Sequence, residues 1–314
     1  MKQQSRRTFL GSLASLAGAT CLSGTALARS ATLKTEGLHV ACNEYAWFTF
    51  FQREGKVWHS DRDAALAEYI QSGLKGFEPS FLSVQQVEEL KPLLDKYGLE
   101  MRSLYVNSRL HDPADADRSI EEVLAIAETA KQAGTRIIVT NPSPLVWGGQ
   151  EDKDDAQLEV QAANLDRLGA ALRQMGMILA YHNHDMELRQ AAREFHHMML
   201  ATDPANVSLC LDAHWVYRGS GNSQVALFDV VRLYGNRITE VHLRQSQNGI
   251  WSEVFGPGDI DYPRLATELK RAGVKPLLVL EQSIEEGSPN TMTGVEAHRK
   301  SLEYTLEVFS GFDA

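Results

Sequence analysis

Residues 177–184 read "MILAYHNH", followed by "DMEL" to 188. An apolar run of strand length ends in His182 and His184, two positions apart. Side chains alternate faces along a strand, so both imidazoles would face one side at its carboxyl end. Two bulky polar rings there suggest that something is held between them.

The pattern of a short apolar run followed by an amphipathic stretch recurs in both directions. Upstream, strands are expected at 37–47, 74–80, 99–107 and 135–143, and helices at 61–73, 84–98, 119–134 and 154–176. Downstream, strands are expected at 207–215, 238–245 and 276–283, and helices at 191–202, 225–235, 261–273 and 295–312. Ser119 with Glu122 fits a capping box, and Gly134 a helix stop. Eight βα units predict a parallel sheet closed into a (β/α)8 TIM barrel, a single α/β domain over residues 29–314. A doubly wound open sheet is the alternative, but "ACNEYAWFTFFQREG" (41–55) is no G-x-G-x-x-G loop.

The 314 residues carry 43% hydrophobic and 23% charged side chains, a globular composition with ample core. A net charge of −10 argues against a nucleic acid or an anionic membrane surface as partner. The first 28 residues read as an export signal: Arg6 and Arg7, then Phe9, Leu10 and a weakly apolar run ending in "ALA" (26–28). This is the pattern of twin-arginine export, with cleavage before Arg29 and a periplasmic or secreted mature chain. Thr20 before Cys21 speaks against a lipoprotein site, so no membrane attachment is expected after cleavage. Removing Lys2, Arg6 and Arg7 and no acid takes the net charge to −13. Cys42 and Cys210 remain, on different expected strands, so no disulfide framework is expected. Export of folded protein favours a cofactor inserted beforehand.

A TIM barrel does its chemistry at the carboxyl ends of its strands. The fifth expected strand ends "YHNHD", the sixth "CLDAHW", the seventh "EVHLRQ" and the eighth "LVLEQ". One residue from each gives His182, Asp212, His242 and Glu281. Singly, each could be a cap or a hydrogen-bonded core residue. Together they make a mixed imidazole and carboxylate set that suits Mn, Zn, Co or Fe better than Ca²⁺. His184, His214 and Arg244 stand beside them.

On these residues the chain resembles the xylose isomerase-like TIM barrel superfamily, the sugar phosphate isomerase/epimerase group, over nearly all of residues 37–312. "GPGDIDYPRL" (256–265) resembles a stretch that many members carry after the seventh strand. The resemblance implies a divalent metal on Asp212, His242 and Glu281. It departs at strand five, where His182 stands in place of a glutamate that is both ligand and acid/base group. The implied reaction is isomerisation or epimerisation of a keto-sugar or cyclitol through an enediolate. Elimination from an inosose or 3-keto-glycoside is the alternative. Glu281 would be one acid/base group, His184 or His214 the opposing one, and Arg244 a contact to an oxyanion or hydroxyl.

Weaker candidates for sugar contact are Glu78, Asn107, Asn141 and Trp215. Trp47, Trp147 and Trp251 could stack on sugar faces or simply plug the barrel mouth. His196 and His197 read as surface residues. Two other functions compete: a phosphodiesterase like endonuclease IV, opposed by the acidic charge, and an exported barrel that binds sugar without catalysis. The expected partner is a small-molecule sugar without phosphate, and the sequence leaves the oligomeric state open.

Overall fold

The computed structural model describes residues 37–312; the expected export signal lies outside the described residues. Eight parallel strands form the barrel wall: β1 (Val40–Asn43), β2 (Gly76–Glu78), β3 (Ser103–Tyr105), β4 (Ile137–Thr140), β5 (Ile178–His182), β6 (Val207–Asp212), β7 (Ile238–Leu243) and β10 (Leu277–Leu280). Around the wall the order is β2-β1-β10-β7-β6-β5-β4-β3. The β2 and β3 ends are linked by isolated bridges, Gly76 with Glu100 and Ser80 with Tyr105, so the barrel is nearly closed. A two-stranded hairpin, β8 (Ser246–Gln247) and β9 (Ile250–Trp251), stands on the carboxyl-end loops.

Among the described residues ten α-helices surround the wall: α1 (Glu44–Arg53), α2 (Arg62–Tyr69), α3 (Val84–Tyr97), α4 (Pro113–Lys131), α5 (Asp155–Gln174), α6 (Arg189–Ala201), α7 (Ala213–Gly219), α8 (Gln224–Tyr234), α9 (Tyr262–Ala272) and α10 (Gly294–Val308). The main core lies between strands and helices, with Leu104, Ile138, Leu179, Leu209, Val241 and Leu278 facing outward into it. The alternate residues Ile137, Val139, Ala180 and Cys210 form a second, small cluster. With a period of two, these fill the barrel interior, below the polar residues that end the same strands.

Several boundaries move from the sequence reading, each because a polar side chain caps a helix early. The strand expected over 37–47 stops at Asn43, whose Oδ1 accepts the Tyr45 N–H (2.8 Å) and starts α1. Trp47 is therefore a buried helix residue, stacked 4.4 Å from the His298 ring. The strand expected over 207–215 stops at Asp212, which caps α7, so His214 and Trp215 are helical. The expected Ser119/Glu122 capping box is not used. Asp112 caps α4 instead, with Pro113 in its first turn, and the Ser119 hydroxyl accepts the Arg109 N–H (2.9 Å). In α6, Gln190, Ala191 and Ala192 are left-handed rather than helical. Cys42 and Cys210 are both free thiols.

Candidate active site

β5, β6 and β7 end in, or carry, His182, Asp212 and His242, and Glu281 follows β10 directly. All four are at least nine-tenths buried, and a ligand-capable atom of each lies within 4.8 Å of the others. His182 Nδ1 and Nε2 and Asp212 Oδ2 have no hydrogen-bond partner. His182 Nε2 stands 3.8 Å from Asp212 Oδ2 and 3.9 Å from Glu281 Oε2, too far for hydrogen bonds. Two atoms each about 2.1 Å from one cation would stand roughly 3–4 Å apart. The spacing and the unpartnered atoms therefore fit one divalent ion held by two imidazoles and two carboxylates.

The support beneath the four is also polar. His242 Nδ1 faces Glu281 Oε2 (2.9 Å), while its Nε2 lies 3.1 Å from both Glu78 Oε2 and Glu240 Oε1. Glu78 is fixed in turn by Asn43 Nδ2 (2.9 Å) and Ser103 Oγ (3.3 Å). A proton on Nε2, shared with these carboxylates, turns Nδ1 toward the cavity, the usual task of a carboxylate behind a metal-binding histidine. Burial and neighbouring Glu78 push Glu240 up to about 8, so it holds a proton near neutrality.

The electrostatics separate the two carboxylates above. Burial pushes Asp212 up to about 7 despite nearby Arg244. Burial acts on Glu281 in the same direction, but Arg244 and His242 overrule it and hold Glu281 well below the usual range. Arg244 Nη2 reaches Glu281 Oε1 at 2.9 Å, and its Nε donates to the Glu281 carbonyl (2.9 Å). The guanidinium lies 4.4 Å from the Trp251 ring centre and 5.1 Å from that of Trp215. Its Nη1 has no partner.

His184 follows β5, and its backbone N–H donates to Glu187 Oε2 (2.6 Å). Glu187 Oε1 accepts from Asn141 Nδ2 (3.1 Å). The His184 ring sits 5.3 Å from Trp147 and 5.8 Å from Trp215, with Nδ1 unpartnered. Burial lowers its pKa to about 4, leaving a neutral imidazole that can accept a proton. A cavity of about 450 Å³ opens above, lined by Arg244, Glu281, His184, Trp147, Trp215 and Trp251 together with Asn43, Tyr45, Ser80, Tyr105 and Asn107.

Thus Arg244, Glu281, His184, Asn107 and Trp215 line the cavity, and His182, Asp212 and His242 cluster with Glu281. Glu78 and Asn141 do not line it; both are fully buried behind histidines. His214 is also fully buried, off the cavity wall, with burial lowering its pKa to about 2. The sequence reading missed Glu240, although its place two residues before His242 puts it on the same face. It also missed the hairpin that carries Trp251, although Asn248-Gly249 is a strong two-residue hairpin signal.

The inosose dehydratase of Clostridium beijerinckii is 26% identical over 202 residues, covering 61% of this chain and 66% of that protein. The match thus spans just under two thirds of that relative's length. The structure of the 3-keto-D-glucoside 4-epimerase of E. coli superposes with a TM-score of 0.60 at 16% identity, covering 85% of this chain and 98% of that one. A xylose isomerase-like TIM barrel protein from Mycobacterium smegmatis, in complex with magnesium, superposes with a TM-score of 0.63 at 16% identity, covering 89% and 98%. The sequence pattern of the xylose isomerase-like TIM barrels matches residues 66–307. The eight-stranded barrel, with its polar cluster at the carboxyl ends, belongs to the xylose isomerase-like TIM barrel family.

Proposed function

We propose that the chain is a metal-dependent sugar isomerase or epimerase acting on a keto-sugar or cyclitol. The carrying observation is the His182, Asp212, His242 and Glu281 cluster, with its unpartnered atoms, at the floor of a cavity lined by a cation and a neutral base. A divalent ion in this set supplies a Lewis acid that lowers the pKa of a C–H beside a carbonyl. Arg244 binds a substrate oxygen through Nη1 and keeps Glu281 ionised. His184, neutral and lining the same cavity, takes or returns the second proton. Trp215 and Trp251 cover the Arg244 guanidinium and exclude water, which strengthens its contact with developing negative charge.

Elimination is the second reading. It is favoured by the inosose dehydratase relative and by the imidazole at position 182, which leaves Glu281 as the carboxylate of the cavity wall. The deciding experiment incubates the metal-loaded protein with 3-keto-glucose and with an inosose in D₂O and follows proton NMR. Deuterium beside the carbonyl with an epimer or isomer as product supports the first reading. An alkene or enone supports the second. No exchange with either compound removes both. Export by the twin-arginine pathway belongs to the same proposal, supported by Arg6, Arg7 and the small-residue site at 26–28. Export of a reporter fused to residues 1–28, lost on Arg6→Lys with Arg7→Lys, tests it.

A further inference from the structure

His182 belongs to the four-residue cluster and His184 to the cavity wall, and their ring centres stand 4.8 Å apart. The stretch between them is held at both ends. Asn141 Nδ2 donates to the His182 carbonyl (3.0 Å) and to Glu187 Oε1 (3.1 Å). Glu187 Oε2 accepts the His184 N–H (2.6 Å). In the middle, the Asn183 side chain grips the Asp212 backbone, donating to its carbonyl and accepting its N–H, both at 3.2 Å. Glu187 is 1% exposed. Burial pushes its carboxyl up from the usual range, against Lys153, whose Nζ pairs with Glu194 at 2.7 Å. Directly after this turn, Gln190, Ala191 and Ala192 have φ of 51°, 60° and 58°, a region that strains any residue with a Cβ. Arg189 and Arg193 flank them, donating to the Gly149 and Lys153 carbonyls. A buried carboxylate and a left-handed turn both cost stability, and such costs gather where a side chain must be held in one setting.

We infer that Glu187 is a positioning residue: by holding the His184 N–H directly and the His182 carbonyl through Asn141, it fixes the base relative to the ion and sets the His184 ring against Trp147. The inference rests on the proposed function for the task of His184 and adds the group that aims it. Glu187 touches neither the cavity nor the four clustered side chains, so it acts only through its neighbours. Both of its partners are donors. A carboxylate accepts from both, whereas an amide of the same size has one acceptor and one donor group and satisfies only one of them. Glu187→Gln therefore releases one end of the stretch while keeping its volume.

The test sets Glu187→Gln beside the wild type, both loaded with Mn²⁺ for kinetics and with Zn²⁺ for NMR. In proton exchange on 3-keto-glucose the variant should lose about 10–100-fold in kcat, the scale of a base moved by a fraction of an ångström to one ångström. KM and metal content should stay unchanged. In protein carrying ¹³C-labelled histidine, the His184 ring resonances should shift, because the Trp147 ring stands edge-on at 5.3 Å. Those of His39, at the start of the chain's first strand, and His298, on α10, should not. If Glu187→Gln fails to fold, Asn141→Ser, which cuts the link to His182 and keeps the carboxylate, is read in the same way. Unmoved His184 resonances overturn the inference, as does a raised KM at unchanged kcat, or a shift of His39 and His298 along with His184. A wild type without exchange removes the enzymatic reading alone, and the His184 resonances then decide the positioning by themselves. Exchange in the wild type with unmoved His184 resonances in the variant overturns the positioning alone.

Discussion

At the scale of single residues, the site is a stack of two polar layers. The lower layer, Glu78 and Glu240, holds His242 by Nε2, and the upper layer presents Nδ1 with Asp212, Glu281 and His182. Glu78→Ala should lower affinity for Mn²⁺ or Zn²⁺ about 10–100-fold by titration calorimetry. Glu78→Gln, which keeps an acceptor for His242, should recover most of it. Asp212 gives a pH prediction. Its pKa is about 7 in the folded chain and about 3.9 unfolded. The folded chain thus binds more protons between these values, and the Asp212 contribution to stability falls as pH rises from about 4 to 7. Neutral buried histidines act oppositely, so the comparison is with Asp212→Asn. In the metal-free proteins, the wild type should lose stability relative to the variant by a few kcal/mol across that window in urea melts. A constant difference would contradict the assignment. The four upper residues were legible in the sequence because each ends an apolar run. His214 misled because Asp212 caps a helix there, and no strand remained to aim the ring at the cavity.

At the scale of elements, caps and close approaches decide where side chains point. Arg218 grips Glu285 at 2.7 and 2.9 Å and donates to the Gly249 carbonyl, while the Trp251 N–H donates to Glu285 (2.8 Å). This clasp holds the β8–β9 hairpin so that Trp251 covers Arg244. Arg218 and Glu285 are partly exposed, so Glu285→Ala should shift global stability by only about 1 kcal/mol. Amide exchange at residues 246–251 should nevertheless rise by roughly tenfold, as expected for local opening. Unchanged exchange would contradict the clasp. β1 and β2 touch at Gly76, where a Cβ would sit 2.7 Å from the Ala41 Cβ and 2.8 Å from its Cα. Gly76→Ala should destabilise the barrel by about 1–3 kcal/mol in urea unfolding. The strands and helices were legible from period and punctuation. Their ends were not, because Asn43 and Asp212 read equally well as the last residue of a strand or the cap of a helix.

At the scale of the whole molecule, eight repeats of one unit converge eight strand ends on a single place. That is why a barrel could be read from alternation alone, and why its site could be looked for at four strand ends. Depth was hidden from the sequence. Glu78, Asn141 and His214 share the sequence setting of Asn107 and Trp215, yet they are buried beside the cavity rather than facing it. Only the packed barrel separates groups that touch a ligand from groups that aim their neighbours. The central claim is that His182, Asp212, His242 and Glu281 hold one divalent ion. Elemental analysis of protein purified without chelators, beside Asp212→Ala, tests it most directly. About one transition metal per chain in the wild type and little in the variant is the expected result. No metal in the wild type, even after incubation with Mn²⁺, Zn²⁺ and Co²⁺, would contradict the claim.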